Sequence, residues 1–405
     1  MKRIILFLLS LVNLLPTAYK FKYDVKEVLA KPNIVITKEY KNDDKTSIKN
    51  LNVDSESAYL IDFSTGTTLY AKNETSKKTI ASMCKIMTLL ICFEKESNGE
   101  VSFDDVITIS ERASSMGGSQ VFLEANNEYK ISDLIKSIVV ASANDASVAM
   151  AEHIAGSEEL FVELMNEKCR ELSMDNTFFV NATGLPKEGQ FSCAKDVAKM
   201  FSELLKYKKY YKFSKIWMDK IYHDNEKFTE IANTNKLIKY YDGCDSGKTG
   251  YTSESGHCLS ASASRKGMRL ISVIIKAPSS KTRFADCSAL FDYGFANFEN
   301  KLIIDNKKPL DVKLNVENGK VDKISVKPDK PFFVFSIKGE KNSYDIDFIP
   351  NKKVCAPLKK GECVGKLEIY QDSILIGSVN VVSMDNVEKE GYFDIITKII
   401  KNWQI

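Results

Sequence analysis

Between residues 80 and 92 apolar side chains recur at helical spacing with no glycine or proline among them, which predicts a helix beginning near Ala81. The same period returns over 134–140 and over 146–154. Strand-like runs lie at 58–63 and 68–71, around the turn Ser64-Thr65-Gly66-Thr67, and again at 257–264 and 268–276. Strands at both ends of one region with helices between them predict an α/β (α+β) sandwich. Its antiparallel sheet carries helices on both sides, and its first and last strands must meet.

Beyond about residue 300 the period changes to alternation. Val312, Leu314 and Val316 alternate with polar residues, as do Tyr344, Ile346 and Phe348, while Leu367, Ile369 and the run 374–382 continue the theme. Turn chemistry at Asn318-Gly319 and Lys360-Gly361 separates these runs, so a small all-β domain is expected over 299–388. The last stretch, 389–405, differs again. At 100° per residue Tyr392, Phe393, Ile395, Ile396, Ile399, Ile400 and Trp403 share one half of a helix, and Asp394, Thr397, Lys398, Lys401 and Asn402 the other. Aromatics opposite lysines suit a membrane interface, and the sequence predicts attachment to the outer face of the cytoplasmic membrane through this helix.

The start of the chain has its own signature. Met1-Lys2-Arg3 and the apolar run 4–15 have the regions of a secretory signal peptide, with Pro16-Thr17-Ala18 offering a cleavage site. The expected organisation is therefore a signal peptide over 1–18, a polar spacer over 19–50 and a catalytic-type domain over 51–298, followed by the two C-terminal units. The protein is expected to be exported and peripherally attached to the cell membrane. A net charge of +3 against 57 basic and 54 acidic side chains gives no reason to expect nucleic acid as a partner. The three histidines, His153, His223 and His257, show no metal-ligand spacing, and no cofactor is expected. Nine cysteines are an odd number for an exported chain. Cys355 and Cys363 flank a turn-like segment, where either a pair or two free thiols is open.

The chemistry lies in three short motifs in one order. Ser82-Met83-Cys84-Lys85 places a hydroxyl and an amine one helical turn apart, so Ser82 is the candidate nucleophile and Lys85 its base. An ammonium serves as a base only when burial or a second cation pushes its pKa down, and Lys248 is the candidate second cation. Ser142-Ala143-Asn144 falls between two predicted helices. There Ser142 is placed to relay a proton and Asn144 to hold substrate or Lys85, although the same residues suit an N-cap. Lys248-Thr249-Gly250 precedes two strands. Lys248 and Thr249 offer charge and a hydroxyl to a carboxylate, and Gly250 lets a peptide approach the backbone. The backbone amides of Ser82 and Tyr251 are the candidate oxyanion hole. Against this, Asp245-Ser246-Gly247 is strong turn chemistry, which leaves a plain turn open.

The ordered triple S-x-x-K, S-x-N, K-T-G resembles that of penicillin-binding proteins and serine β-lactamases. Residues 51–298 resemble more closely the low-molecular-weight penicillin-binding proteins, serine-type D-alanyl-D-alanine carboxypeptidases of peptidase family S11. The likeness continues through Asn181-Ala182-Thr183-Gly184-Leu185, and from Ala277 through Arg283-Phe284 to Phe291-Asp292-Tyr293-Gly294. The resemblance implies that Ser82, Lys85 and Ser142 are catalytic, and that Asn144, Lys248, Thr249 and Gly250 bind substrate. Arg283 is a further candidate for the terminal carboxylate. It also implies a peptidoglycan stem peptide as substrate and β-lactam antibiotics as inhibitors, and it makes 299–388 the C-terminal domain of the same enzymes. Cys84, Ala143 and Gln190-Phe191 depart from the family's usual residues without removing a reacting group. A β-lactamase, an endopeptidase or transpeptidase on the same site, and a non-catalytic wall-binding protein are the alternatives.

Overall fold

The structure is a computed structural model that describes residues 34–36 and 51–403. The expected signal peptide and most of the spacer lie outside the described residues. Within the spacer, β1 (Ile34–Ile36) is a strand rather than a featureless polar segment. In chain order there follow β2 (Ser57–Asp62), β3 (Thr68–Lys72), a 3₁₀ turn at Ala81–Cys84 and helix α1 (Lys85–Ser97). Two short strands, β4 (Val106–Thr108) and β5 (Glu128–Lys130), pair with one another before α2 (Ile131–Val140) and α3 (Asn144–Ala155). Next come α4 (Glu158–Glu171), α5 (Ala194–Leu204) and a hairpin of β6 (Met218–Tyr222) and β7 (Phe228–Ala232). The domain closes with β8 (Cys244–Thr252), β9 (Gly256–Arg265), β10 (Met268–Ala277) and α6 (Ser280–Asn297).

The central sheet runs β3-β2-β10-β9-β8, so the strands from the two ends of the domain meet as the pattern required. Every residue of β2 is buried, because helices cover both faces of the sheet. Its alternation sorts the two cores. Ala58 and Leu60 pack with Leu270, Ile274, Leu290 and Phe291 under α6. Tyr59 and Ile61 pack with Ile271, Val273, Ile86, Met87 and Leu90 on the α1 side. On the α6 face a β-carbon at Gly294 would lie 2.5 Å from Leu270 Cδ1, so glycine lets the helix settle onto the sheet.

Strand β8 is the free edge of this sheet. Asp245-Ser246-Gly247 does not turn but enters β8, with a register shift between Cys244 and Ser246. The turn reading fails because Asp245 is held from outside. The Arg269 guanidinium on β10 donates both nitrogens to its carboxylate at 2.7 and 2.8 Å. Removing one partner of so enclosed a fork costs roughly 3 kcal/mol, more than a local turn preference supplies.

The C-terminal domain begins at β11 (Phe298–Ile304) and adds β12 (Lys313–Asn315), β13 (Lys323–Pro328), β14 (Phe332–Ile337), β15 (Asp345–Pro350), β16 (Cys363–Gln371) and β17 (Ile374–Ser383). One sheet runs β12-β13-β17-β16-β15 and the other β1-β14-β11, with β1 parallel to β14. Ile324, Val326, Phe332, Val334, Ile369, Val379 and Val381 form its core. Helix α7 (Tyr392–Trp403) follows. Lys398 on its polar side donates to the Gly319 carbonyl at 2.7 Å and pairs with Asp322 and Glu390, while Tyr392, Phe393, Ile395, Ile396 and Ile400 are exposed. No described helix is long and apolar enough to cross a membrane. All nine cysteines are free, seven of them buried, and Cys355 and Cys363 are exposed and unpaired.

Candidate active site

Ser82 stands in the 3₁₀ turn that runs into α1, and Lys85 opens the helix itself. The turn starts on a strained residue, Ala81 at φ +47°. It is held from both sides by glycines. A β-carbon at Gly184 would fall 2.0 Å from the Ala81 carbonyl oxygen, and one at Gly250 would fall 2.6 Å from that of Ile80. The same two positions come within 3.0 and 3.2 Å of the Ser82 amide nitrogen. Only glycine lets the 181–185 loop and strand β8 close on that amide together.

The Lys85 amine is fully buried and makes three contacts: Ser82 Oγ at 3.0 Å, Asn144 Oδ1 at 2.6 Å and the Thr183 carbonyl at 2.6 Å. An amide oxygen and a carbonyl only accept, so two N–H bonds go to Asn144 and Thr183. In the neutral amine the lone pair is then left for the Ser82 hydroxyl. Burial pushes the Lys85 pKa down to about 7, against the opposing pull of Cys84 and Asp145. A neutral fraction is thus present near neutral pH.

Ser142 sits at φ +65° immediately before α3, the left-handed region that side chains avoid. Its hydroxyl accepts from Lys248 Nζ at 2.6 Å. That settles the capping question: the N-cap position is Ala143, with no side-chain cap, and Ser142 faces the second lysine. Lys248 is also buried, and its pKa falls well below the usual ammonium range through burial, then the charges of Lys85 and Arg283. Asn144 is the first residue of α3. Its Nδ2 donates to the Gly117 carbonyl at 2.6 Å, which fixes Oδ1 toward Lys85.

The three motifs therefore converge. Ser82, Lys85 and Asn144 form one hydrogen-bonded set and Ser142 with Lys248 a second, near enough that the Lys85 charge acts on Lys248, with Thr249 and Gly250 next along the free edge of β8. Tyr251 follows them, 60% exposed, its ring stacked on His257 at 4.4 Å. Arg283 lies behind β8 and donates to the carbonyls of Gly250 and Cys258 at 3.1 and 3.3 Å. Its contacts are with the strand's backbone, not with the Lys248 cluster. The sequence reading did not single out the Thr183 carbonyl, because a main-chain acceptor leaves no mark in residue type. Asp145, which suits an N-cap by residue type, has its carboxylate accepting from the Val121 and Leu123 amides. Cys84 is buried away from the nucleophile and donates to the Asn181 carbonyl at 3.3 Å. Glu163, a glutamate near the second motif in the chain, is exposed on α4.

Residues 44–279 match the family model described as D-alanyl-D-alanine carboxypeptidase. Residues 298–389 match that of the penicillin-binding protein 5 C-terminal domain. The chain is 38% identical over 351 residues to the D-alanyl-D-alanine carboxypeptidase DacF of Bacillus subtilis, covering 86% of this chain and 90% of that protein. Its structure is similar to that of a peptidoglycan synthesis regulatory factor (PBP3) from Streptococcus pneumoniae, with TM-score 0.69 and 26% identity over 83% of this chain and all of the other. Penicillin-binding protein D2 of Listeria monocytogenes, solved in an ampicillin-bound form, aligns with TM-score 0.54 and 27% identity over 61% of this chain and 99% of that one.

Proposed function

The chain belongs to the D-alanyl-D-alanine carboxypeptidase family of low-molecular-weight penicillin-binding proteins, and on that premise we propose that it removes the terminal D-alanine of peptidoglycan stem pentapeptides through an acyl-enzyme on Ser82. The observation that carries this reading is the buried Lys85 amine, 3.0 Å from the Ser82 hydroxyl oxygen, with its other two contacts made to the acceptors of Asn144 and Thr183. The stem peptide lies extended along the free edge of β8, pairing with its backbone. Lys85 takes the Ser82 proton as Oγ bonds to the penultimate carbonyl carbon. The oxyanion is held by the amides of Ser82 and Tyr251. Ser142, bonded to Lys248, relays the proton held by Lys85 to the departing amine as the C–N bond breaks, which leaves Lys85 neutral again. Lys248 and Thr249 hold the terminal carboxylate, and Arg283 acts from behind the strand by fixing Gly250. Water then attacks the ester, Lys85 again accepting the proton, and frees the shortened peptide.

A β-lactam presents a strained amide to the same hydroxyl and remains attached after ring opening. The test combines D-alanine release from a pentapeptide mimic with intact mass after penicillin. Release together with a persistent adduct is expected. Rapid penicillin turnover would identify a β-lactamase instead, and neither release nor adduct would leave only wall binding.

Family members act on the wall outside the cytoplasm, and the basic-apolar start of this chain supports export by a signal peptide. We assign α7 to the lipid interface. Its polar side is pinned to the β domain through Lys398, and Tyr392, Phe393, Ile395, Ile396 and Ile400 are exposed. Deleting residues 390–405 is expected to move the mature protein from the vesicle pellet to the supernatant without changing D-alanine release. Equal sedimentation of both forms with anionic vesicles would refute the anchor.

A further inference from the structure

The geometry points to His223, at the end of β6, as a positioning residue for the Lys85–Asn144 pair; the inference rests on the acyl-enzyme reading above. Asn144 owes its orientation to the segment 117–124. The Gly117 carbonyl takes its side-chain N–H at 2.6 Å and the Ser119 carbonyl takes its backbone N–H at 2.7 Å. The amides of Val121 and Leu123 donate to Asp145 at 3.0 and 3.1 Å. This segment is irregular, with Gly118 at φ +81° and Phe122 at φ +62°, and a β-carbon at Gly118 would lie 2.8 Å from Asn144 Nδ2. A strand ladder does not hold it in place; side chains do.

His223 supplies that hold. Its Nδ1 lies 2.8 Å from the Tyr129 hydroxyl, its Nε2 lies 2.9 Å from Thr229 Oγ1, and its ring meets that of Tyr129 edge-on at 5.8 Å. Thr229 Oγ1 in turn reaches the Val121 carbonyl at 3.1 Å, and the Glu124 amide donates to the Tyr129 hydroxyl at 3.3 Å. The Val121 carbonyl only accepts, so the Thr229 proton goes there and Thr229 accepts from Nε2–H. The Tyr129 oxygen receives the Glu124 amide, and with Nε2 as the donor of the ring its own proton is assigned to Nδ1. The ring so assigned closes a polar chain from Glu124 back to Val121. A second tie, from the Thr234 amide to the Val140 carbonyl at 3.2 Å, fastens the same hairpin just before Ser142. The hairpin β6–β7 thereby braces both sides of the second motif.

The test is the second-order rate of penicillin acylation of the full mature chain, measured beside its melting temperature. His223→Ala and Tyr129→Phe are each expected to slow acylation about tenfold, the scale of a sub-ångström misplacement of reacting groups. The double variant is expected to be no slower than His223→Ala alone. His223→Gln keeps one acceptor and one donor and should restore most of the rate, whereas His223→Lys, with donors only, should not. Wild-type rates in both single variants would overturn the proposal, as would equal losses in the Gln and Lys variants. Should His223→Ala fail to fold, Tyr129→Phe and the Gln–Lys contrast decide it. A wild-type chain that forms no adduct and releases no D-alanine would overturn the acyl-enzyme reading first, and the role of His223 with it.

Discussion

Ser82→Ala is expected to abolish the penicillin adduct and to lower D-alanine release by about four orders of magnitude, with the fold intact. In the proposed mechanism this hydroxyl is the group that attacks the substrate carbonyl carbon. Lys85 is held by Asn144 and the Thr183 carbonyl, and Ser142 is tied to Lys248. The side chain is small and half-buried, so alanine opens no cavity worth counting. An adduct that survives this change, located by peptide mass at another residue, would show that a different nucleophile does the work.

Replacing Lys85 by arginine is expected to cost about three orders of magnitude in acylation. A guanidinium keeps its proton throughout the working range, and the fork does not fit three contacts built for one nitrogen. For the wild-type enzyme the sign is definite. With the neutral amine as the proposed base, acylation is expected to rise with pH through about 7 and to level off above it. The same shift affects stability. The folded pKa of about 7 lies below the ordinary 10.5, so between those values the unfolded chain binds more protons and stability rises with pH. Lys248, shifted in the same direction, adds to the slope. Lys85→Met should therefore make the protein less sensitive to pH over 7–10 while leaving it inactive. Denaturant melts at several pH values would contradict this if the slope of Lys85→Met matched the wild type.

Much of this centre is visible in the sequence because the reacting groups are side chains at fixed spacing. Ser82 and Lys85 fall one turn apart on any helix, and the 3₁₀ start changes only how the turn enters. That strands from the two ends of the domain meet in one sheet followed from strand-like runs on either side of a helical region. What stayed hidden is of other kinds. The Thr183 carbonyl is main chain, and the strain at Ser142 is a backbone angle. The hairpin β6–β7 escaped because most of its side chains face water: in β6 only Ile221 is buried and in β7 only Ile231, too few to mark a period. Strand β1 is three residues in a polar stretch, and what defines it is its partner β14, some 300 positions away in the chain. Asp245-Ser246-Gly247 misled for the opposite reason, since strong local chemistry was overruled by Arg269 across the sheet.

The distribution of thiols has a practical consequence. Cys84 adjoins the nucleophile in the chain, yet its sulfur is buried and its pKa is pushed up to about 12 by desolvation, so it carries almost no thiolate. The six other buried thiols of the catalytic domain, Cys92, Cys169, Cys193, Cys244, Cys258 and Cys287, are raised for the same reason. Cys355 and Cys363 alone among the nine reach solvent, and both belong to the β domain. A maleimide dye added to the native enzyme would therefore mark the C-terminal β domain and leave turnover untouched, giving a fluorescent handle without engineering.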